Sequence, residues 1–144
     1  SLHDALPIFL IAGKMHAAGC LKEAGANIIS KDTIKALVSA GADIILLPAP
    51  GTVPGITLDY VCDLVSYCHS LEVMTLTAIG TSQEDADTET LRHIALLCKM
   101  SGTDLHHIGD AGHAGCVAES IMTYSIVIRG KRHTYNRMAT SVLR

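Results

Sequence analysis

The chain has 144 residues, 49% of them hydrophobic and 17% charged, with a net charge of −3, which is enough for one ordinary domain with ample core material. One Phe, four Tyr and no Trp, without a dominant basic face, argue against a nucleic-acid binder, and no apolar run approaches the roughly 18 residues of a membrane span. The five cysteines (Cys20, Cys62, Cys68, Cys98 and Cys116) are odd in number and contain no C-x-x-C pair, so they read as free thiols of a reducing, cytoplasmic protein rather than as a disulfide framework or zinc knuckle.

Residues 1–8, SLHDALPI, look like the translation of a short sequencing adapter. They are set apart as a non-native segment, and His3 and Asp4 are not read as chemistry. Residues 9–144 are the domain to be explained.

Four apolar, β-branched runs follow: Ile8–Ala12, Asp43–Leu47, Val73–Ile79 and Asp104–Ile108. Their starts lie 35, 30 and 31 residues apart. Each is continuous rather than alternating, as a parallel strand covered on both faces requires. Helical patterns stand between them. Ser30 or Asp32 caps one that runs to about Ala40, Thr57 caps one to about Ser70, and Asp85 or Asp87 caps one to about Ser101. A fourth begins near Val117. Gly41 and Gly102 each lie two residues before an Asp that opens a strand, which predicts a helix C-cap and a short return loop. Ile28-Ile29-Ser30 reads as a short extra strand or a loop.

Alternating strands and helices imply right-handed crossovers and a parallel sheet. Four units of roughly 32 residues extrapolate to about 250 for eight, the size of a (β/α)8 TIM barrel. The expected fold class is therefore α/β, with about four strand–helix units, strands five to eight of such a barrel. A doubly wound open sheet is the alternative. The near-constant repeat and the absence of a G-x-G-x-x-G turn favour the barrel.

The strand ends carry a further signal. AGKMHAAG (Ala12–Gly19), AGADIILLPAPGTVPG (Ala40–Gly55), AIGTSQE (Ala78–Glu84), HIGDAGHAG (His107–Gly115) and IRGKRHTYNRMA (Ile128–Ala139) are together similar to the C-terminal half of an uncharacterised bacterial barrel family. The resemblance runs from Phe9 to Arg144 and implies a TIM barrel about twice this length, so that the missing N-terminal half of the barrel becomes a partner; it implies no established activity. Members are sometimes labelled haloacid-dehalogenase-like hydrolases. That chemistry needs D-x-D-x-[TV] just after a strand. Here Asp85-Ala86-Asp87-Thr88-Glu89 has Glu at the last position and lies at a helix start, so these acids read as caps.

Active sites of this barrel sit at the carboxyl ends of the strands, which selects four clusters. Lys14 and His16 follow the first strand. A Lys there can form a Schiff base or act as a fixed cation, and a His can move protons near neutral pH. Pro48–Gly55 is a stiff loop with Gly51 and Thr52 as candidate binding residues. Gly80, Thr81, Ser82, Gln83 and Glu84 form a wholly polar stretch able to orient a substrate. Gly109, Asp110, Gly112, His113 and Gly115 make a glycine-rich loop before a helix, the arrangement that offers backbone N–H groups to a phosphate. Asp110 and His113 are candidates for proton transfer. His106 and His107 are adjacent and must face opposite ways, with packing or hydrogen bonding the expected role. Arg129, Lys131, Arg132 and Arg137 read as a solvated basic face.

The leading functional reading is a lyase, aldolase or isomerase acting on a small phosphorylated carbonyl compound, with Lys14, His16, Asp110 and His113 as catalytic residues. A metal-dependent hydrolase is the second, using a divalent metal on His16, Glu84, Asp110 and His113. A non-catalytic barrel that binds a phosphorylated ligand is the third. A half-barrel alone also leaves two open sheet edges, so it is expected either to aggregate or to pair with another copy as a homo-oligomer.

Overall fold

The computed structural model describes residues 8–14, 25, 28–80, 83, 86–109 and 117–140. It alternates strands and helices: β1 (Ile11–Gly13), α1 (Lys31–Ser39), β2 (Ile44–Pro48), α2 (Leu58–Ser70), β3 (Met74–Ala78), α3 (Thr88–Ser101), β4 (Leu105–His107) and α4 (Ala118–Ala139). The four strands form one sheet in the order β1-β2-β3-β4, and every pairing is parallel. That order never reverses, so the described sheet lacks the switch point of a doubly wound fold.

Three of the helix starts use the side chains that the sequence singles out. Ser30, Thr57 and Asp87 each accept a hydrogen bond from a backbone N–H of the first turn, satisfying donors the helix itself leaves unpaired. Gly102 ends α3 in the left-handed conformation, and Gly41 follows α1 with φ +101°. Ile28 and Ile29 are buried in a loop rather than a strand, and the Tyr60 hydroxyl donates to the Ile29 carbonyl.

The strands are shorter than the apolar runs or displaced along them, for an identifiable reason. β1 begins at Ile11 and not at Ile8, because its partner β2 begins only at Ile44. A strand is defined by what it pairs with, not by its hydropathy. At its other end β2 outlasts β1 and reaches Pro48. Ile44 N–H points to the Leu10 carbonyl of β1's approach, so Pro48, four residues on, turns its donorless nitrogen to the side where β1 has already ended.

Two aspartates tie the strand starts together. Asp43 Oδ2 accepts from Leu10 N at 2.8 Å. Asp104 Oδ2 accepts from Thr75 N at 2.8 Å, Thr75 Oγ1 at 2.9 Å and His69 Nε2 at 2.9 Å. Each carboxylate opens one strand and holds a backbone N–H of its neighbour.

The helices cover one face of the sheet. Ile45 and Leu47 pack with Ile34, Val61, Leu64, Val65 and Cys68, and Ile79 packs with Leu91, Ile94, Ala95, Cys98 and Tyr124. The register aligns Ala12, Ile45 and Thr75 in one row of that face, and Leu47, Thr77 and His106 in the next. Side chains alternate along a strand, so the opposite face carries three other rows. These are Ile11, Ile44 and Met74; Gly13, Leu46, Leu76 and Leu105; and Pro48, Ala78 and His107. No described helix packs on it. Ile44, in the middle of its row, is buried, whereas Ile11, Met74 and Leu105 are 49%, 38% and 38% exposed.

Gly13 is required by close approach. A Cβ there would lie 2.6 Å from Leu46 Cβ and 2.8 Å from the Leu46 carbonyl oxygen, so β1 can sit against β2 only without a side chain. Gly130 breaks α4. Its φ of 82° and ψ of 161° belong to a region essentially restricted to glycine. The chain turns back there: Ser125 Oγ and Thr134 Oγ1 lie 3.0 Å apart, whereas nine residues of straight helix would separate them by about 13 Å.

Gly13→Ala is expected to destabilise the fold by about 1–3 kcal/mol through overpacking, seen as a lower urea midpoint at unchanged slope. Asp104 gives a pH signature. Burial pushes its carboxyl up, but the His69 bond and the two Thr75 bonds outweigh this and hold it below its ordinary 3.8. A depressed folded pKa means that its contribution is present above 3.8 and is lost as pH falls through the lower folded value. Asp104→Asn should therefore flatten the acid limb of stability against pH in thermal melts, while the unmodified chain keeps it.

Candidate functional site

Because the strands are parallel, Lys14, Ala49, Ile79 and Ile108, which follow them, all emerge at one end of the sheet. Hydrogen bonds from Ala49 N to the Ala78 carbonyl (2.8 Å) and from Ile79 N to the His107 carbonyl (2.9 Å) carry the ladder into that rim. All four of the expected clusters reach it, the Pro48–Gly55 loop among them. Lys14 stands directly after β1 and is half-buried, Gly80 and Gln83 are half-buried beyond β3, and Gly109 is buried beyond β4. His16, Thr81, Ser82, Glu84, Asp110, Gly112, His113 and Gly115 lie outside the described residues. Among the described residues no three potential ligands converge on a metal position.

The loop after β2 is built for its own rigidity. Thr52 is buried and its hydroxyl donates to the Ala49 carbonyl at 2.7 Å. Gly51 N–H is directed at the Ile56 carbonyl at 3.0 Å, and Ile56 N–H at the Val53 carbonyl. These groups shape the rim by closing the loop on itself.

The two histidines of β4 divide between the faces. His106 turns to the helices, where its Nδ1 lies 3.1 Å from the Tyr124 hydroxyl and the rings meet edge-on, centroids 5.4 Å apart. His107 belongs to the uncovered face, in the row nearest the carboxyl ends. Its Nδ1 accepts from Gly109 N–H at 3.1 Å. That bond assigns the neutral tautomer with its proton on Nε2, oriented by a backbone group rather than by a flexible side chain. The sequence assigns both histidines to packing or hydrogen bonding; the parity of β4 and the Gly109 two residues on are the signals that distinguish His107.

Behind the sheet lies a second polar cluster that the sequence does not single out. Burial raises the Tyr124 hydroxyl far above its ordinary range, with the Cys98 thiol adding to it. Burial also raises Cys98, against a weaker opposing bond from the Tyr124 hydroxyl. Thr77 Oγ1, itself buried, has no hydrogen-bond partner among the described residues. Outside this cluster, the returning arm of α4 encloses a cleft of about 480 Å³ lined by Ile121, Met122, Ser125, Arg129, Thr134, Arg137 and Met138. Arg129, Lys131, Arg132 and Arg137 are exposed, as expected of a solvated face.

His106 is held below its ordinary 6.5, first by burial and then by Arg129. The folded state therefore binds its proton less readily than the unfolded one. The stability tied to neutral His106 is complete above 6.5 and lost as pH falls through the lower folded value. An NMR titration should place its midpoint below 6.5, and His106→Asn should reduce the loss of stability between about pH 7 and 5.

No curated protein and no solved structure matches the chain. One family model does, over residues 2–144, and its description is Domain of unknown function (DUF7916). With nearly every residue inside that match, the chain belongs to the DUF7916 family.

Proposed function

We propose that the protein is a barrel enzyme of the lyase, aldolase or isomerase class acting on a small phosphorylated carbonyl compound. The observation that carries this reading is the placing of Lys14 and His107 at the carboxyl ends of β1 and β4, with the His107 tautomer fixed by Gly109 N–H. A lysine amine and an oriented imidazole at strand mouths are the two groups that carbonyl chemistry needs. One polarises or condenses with the carbonyl, and the other moves a proton at the adjacent carbon.

The barrel part of the proposal is supported by the parallel strands in unreversed order, the helices on one face and the apolar rows on the other. In this reading Lys14 Nζ attacks the substrate carbonyl, water leaves, and the resulting iminium withdraws electrons from the neighbouring carbon. His16, two residues after Lys14, with Asp110 and His113, supplies or accepts the proton there, and His107 Nε2 stands on the same rim three strands away. The phosphate is held by backbone N–H groups of the Gly109–Gly115 loop and by the Gly80–Gln83 stretch. Gly51 and Thr52 keep the rim in shape.

Borohydride reduction in the presence of dihydroxyacetone phosphate tests this directly. The expected result is a covalent adduct on the peptide containing Lys14, lost in Lys14→Ala and weakened severalfold in His107→Ala. A chain that gains no mass, or an adduct that persists in Lys14→Ala, would refute the Schiff-base role.

A further inference from the structure

We propose that the cleft between the two arms of α4 is a binding site for a small organic anion, a phosphate or carboxylate group carried on an apolar body. Gly130 makes the cleft by folding the second arm back along the first, so its walls are the two arms of α4 itself. It holds about 480 Å³, within the range of small-ligand sites. A second hollow of about 270 Å³ shares Ile121, Ser125 and Arg129 with it and reaches His106 and Tyr124.

Charge decides what the cleft fits. The chain as a whole carries −3, yet residues 120–144 hold five Arg and Lys and no Asp or Glu. Two of those five cations, Arg129 and Arg137, line the cleft, one beside the Gly130 turn and the other on the returning arm. Among the described residues no acidic side chain lines either hollow, and neither guanidinium has an ion-pair partner. The residues that follow α4, 141–144, bring no acidic side chain either. An arginine answers a carboxylate or phosphate with two parallel N–H donors, a match that an apolar segment cannot supply.

The rest of the lining suits the same ligand. The Ser125 and Thr134 hydroxyls lie 3.0 Å apart across the arms. One donates to the other, and the accepting hydroxyl keeps its own hydrogen for a ligand oxygen. Ile121, Met122 and Met138 supply an apolar wall, and the unbranched methionines adapt to the ligand's shape. His106, in the adjoining hollow, is a built-in reporter. Burial and then Arg129 hold it below its ordinary 6.5, while Cys98 and Tyr124 beside it are raised and stay neutral at that pH. An anion on Arg129 offsets the guanidinium charge and moves the His106 midpoint up. The cleft lies on the helix side of the sheet and uses no group of the rim, so it stands or falls apart from the carbonyl chemistry.

Hexyl phosphate and hexanoate are the probes, titrated into the intact 144-residue chain at constant ionic strength. Calorimetry reads the affinity, and NMR reads the His106 midpoint. The expected result is saturable binding of at least one probe, the tighter one naming the head group, with a rise in the His106 midpoint. Arg129→Gln and Arg137→Gln should each weaken binding about tenfold. Arg132→Gln, which removes an equal charge from outside the cleft, should leave it unchanged. If either Gln variant at the cleft fails to fold, the Lys variant, which keeps the charge but not the paired donors, should still weaken binding severalfold. Absence of saturable binding overturns the proposal, as does binding that leaves the His106 midpoint where it was. So does inorganic phosphate that binds as tightly as hexyl phosphate, hexylammonium that binds as tightly as either probe, or Arg132→Gln that weakens binding as much as Arg129→Gln.

Discussion

The carboxylates of Asp43 and Asp104 fix the ends of the sheet from which everything else is measured. A parallel strand has no tight turn to set its register against its neighbour. Here a side chain marks it at two of the three pairings: Asp43 takes the N–H of Leu10 just before β1, and Asp104 takes that of Thr75 in β3. Register then decides which side chains share a row. The rows decide which residues meet the helices and which face the other way. A slip of one residue would send His106 to the open face and His107 to the helices.

Much of this was legible in the sequence, because it rests on local chemistry. The capping side chains at Ser30, Thr57 and Asp87 and the glycines at 41 and 102 act within a few residues of themselves, and each does what its type predicts. The strand limits were less legible, since Ile8 and Phe9 are as apolar as Ile11 but have no partner strand beside them. The split between His106 and His107 required the parity of β4, which only pairing with β3 defines. The reversal at Gly130 was hidden because helical residues stand on both sides of it and the sequence shows one long pattern. The Cys98–Tyr124–His106 cluster joins three elements distant in the chain, and no short-range pattern can announce it.

The candidate site divides in the same way. Residue types at strand ends pointed to the rim, and Lys14 and Gly109 stand there. Thr52 reads in the sequence as an offered hydroxyl, and in the fold that hydroxyl gives its hydrogen to the Ala49 carbonyl within the loop. His107 was easy to pass over beside its neighbour, although a backbone donor two residues on fixes its ring. What a hydroxyl or an imidazole can offer a ligand depends on which of its bonds are already made, and that is settled by the fold around it.

The two thiols buried among the described residues have a practical consequence. Cys68 is pushed up to about 11 by burial, with the Asp104 charge adding to it, and Cys98 is raised by burial as well. Only a thiolate attacks an alkylating reagent, so both are silenced twice, by protonation and by lack of access. Cys62, half-buried on α2, has the more accessible sulfur. One thiol lies under α2 and the other between α3 and α4. Their separate labelling rates thus act as built-in clocks for the opening of two different halves of the helical layer.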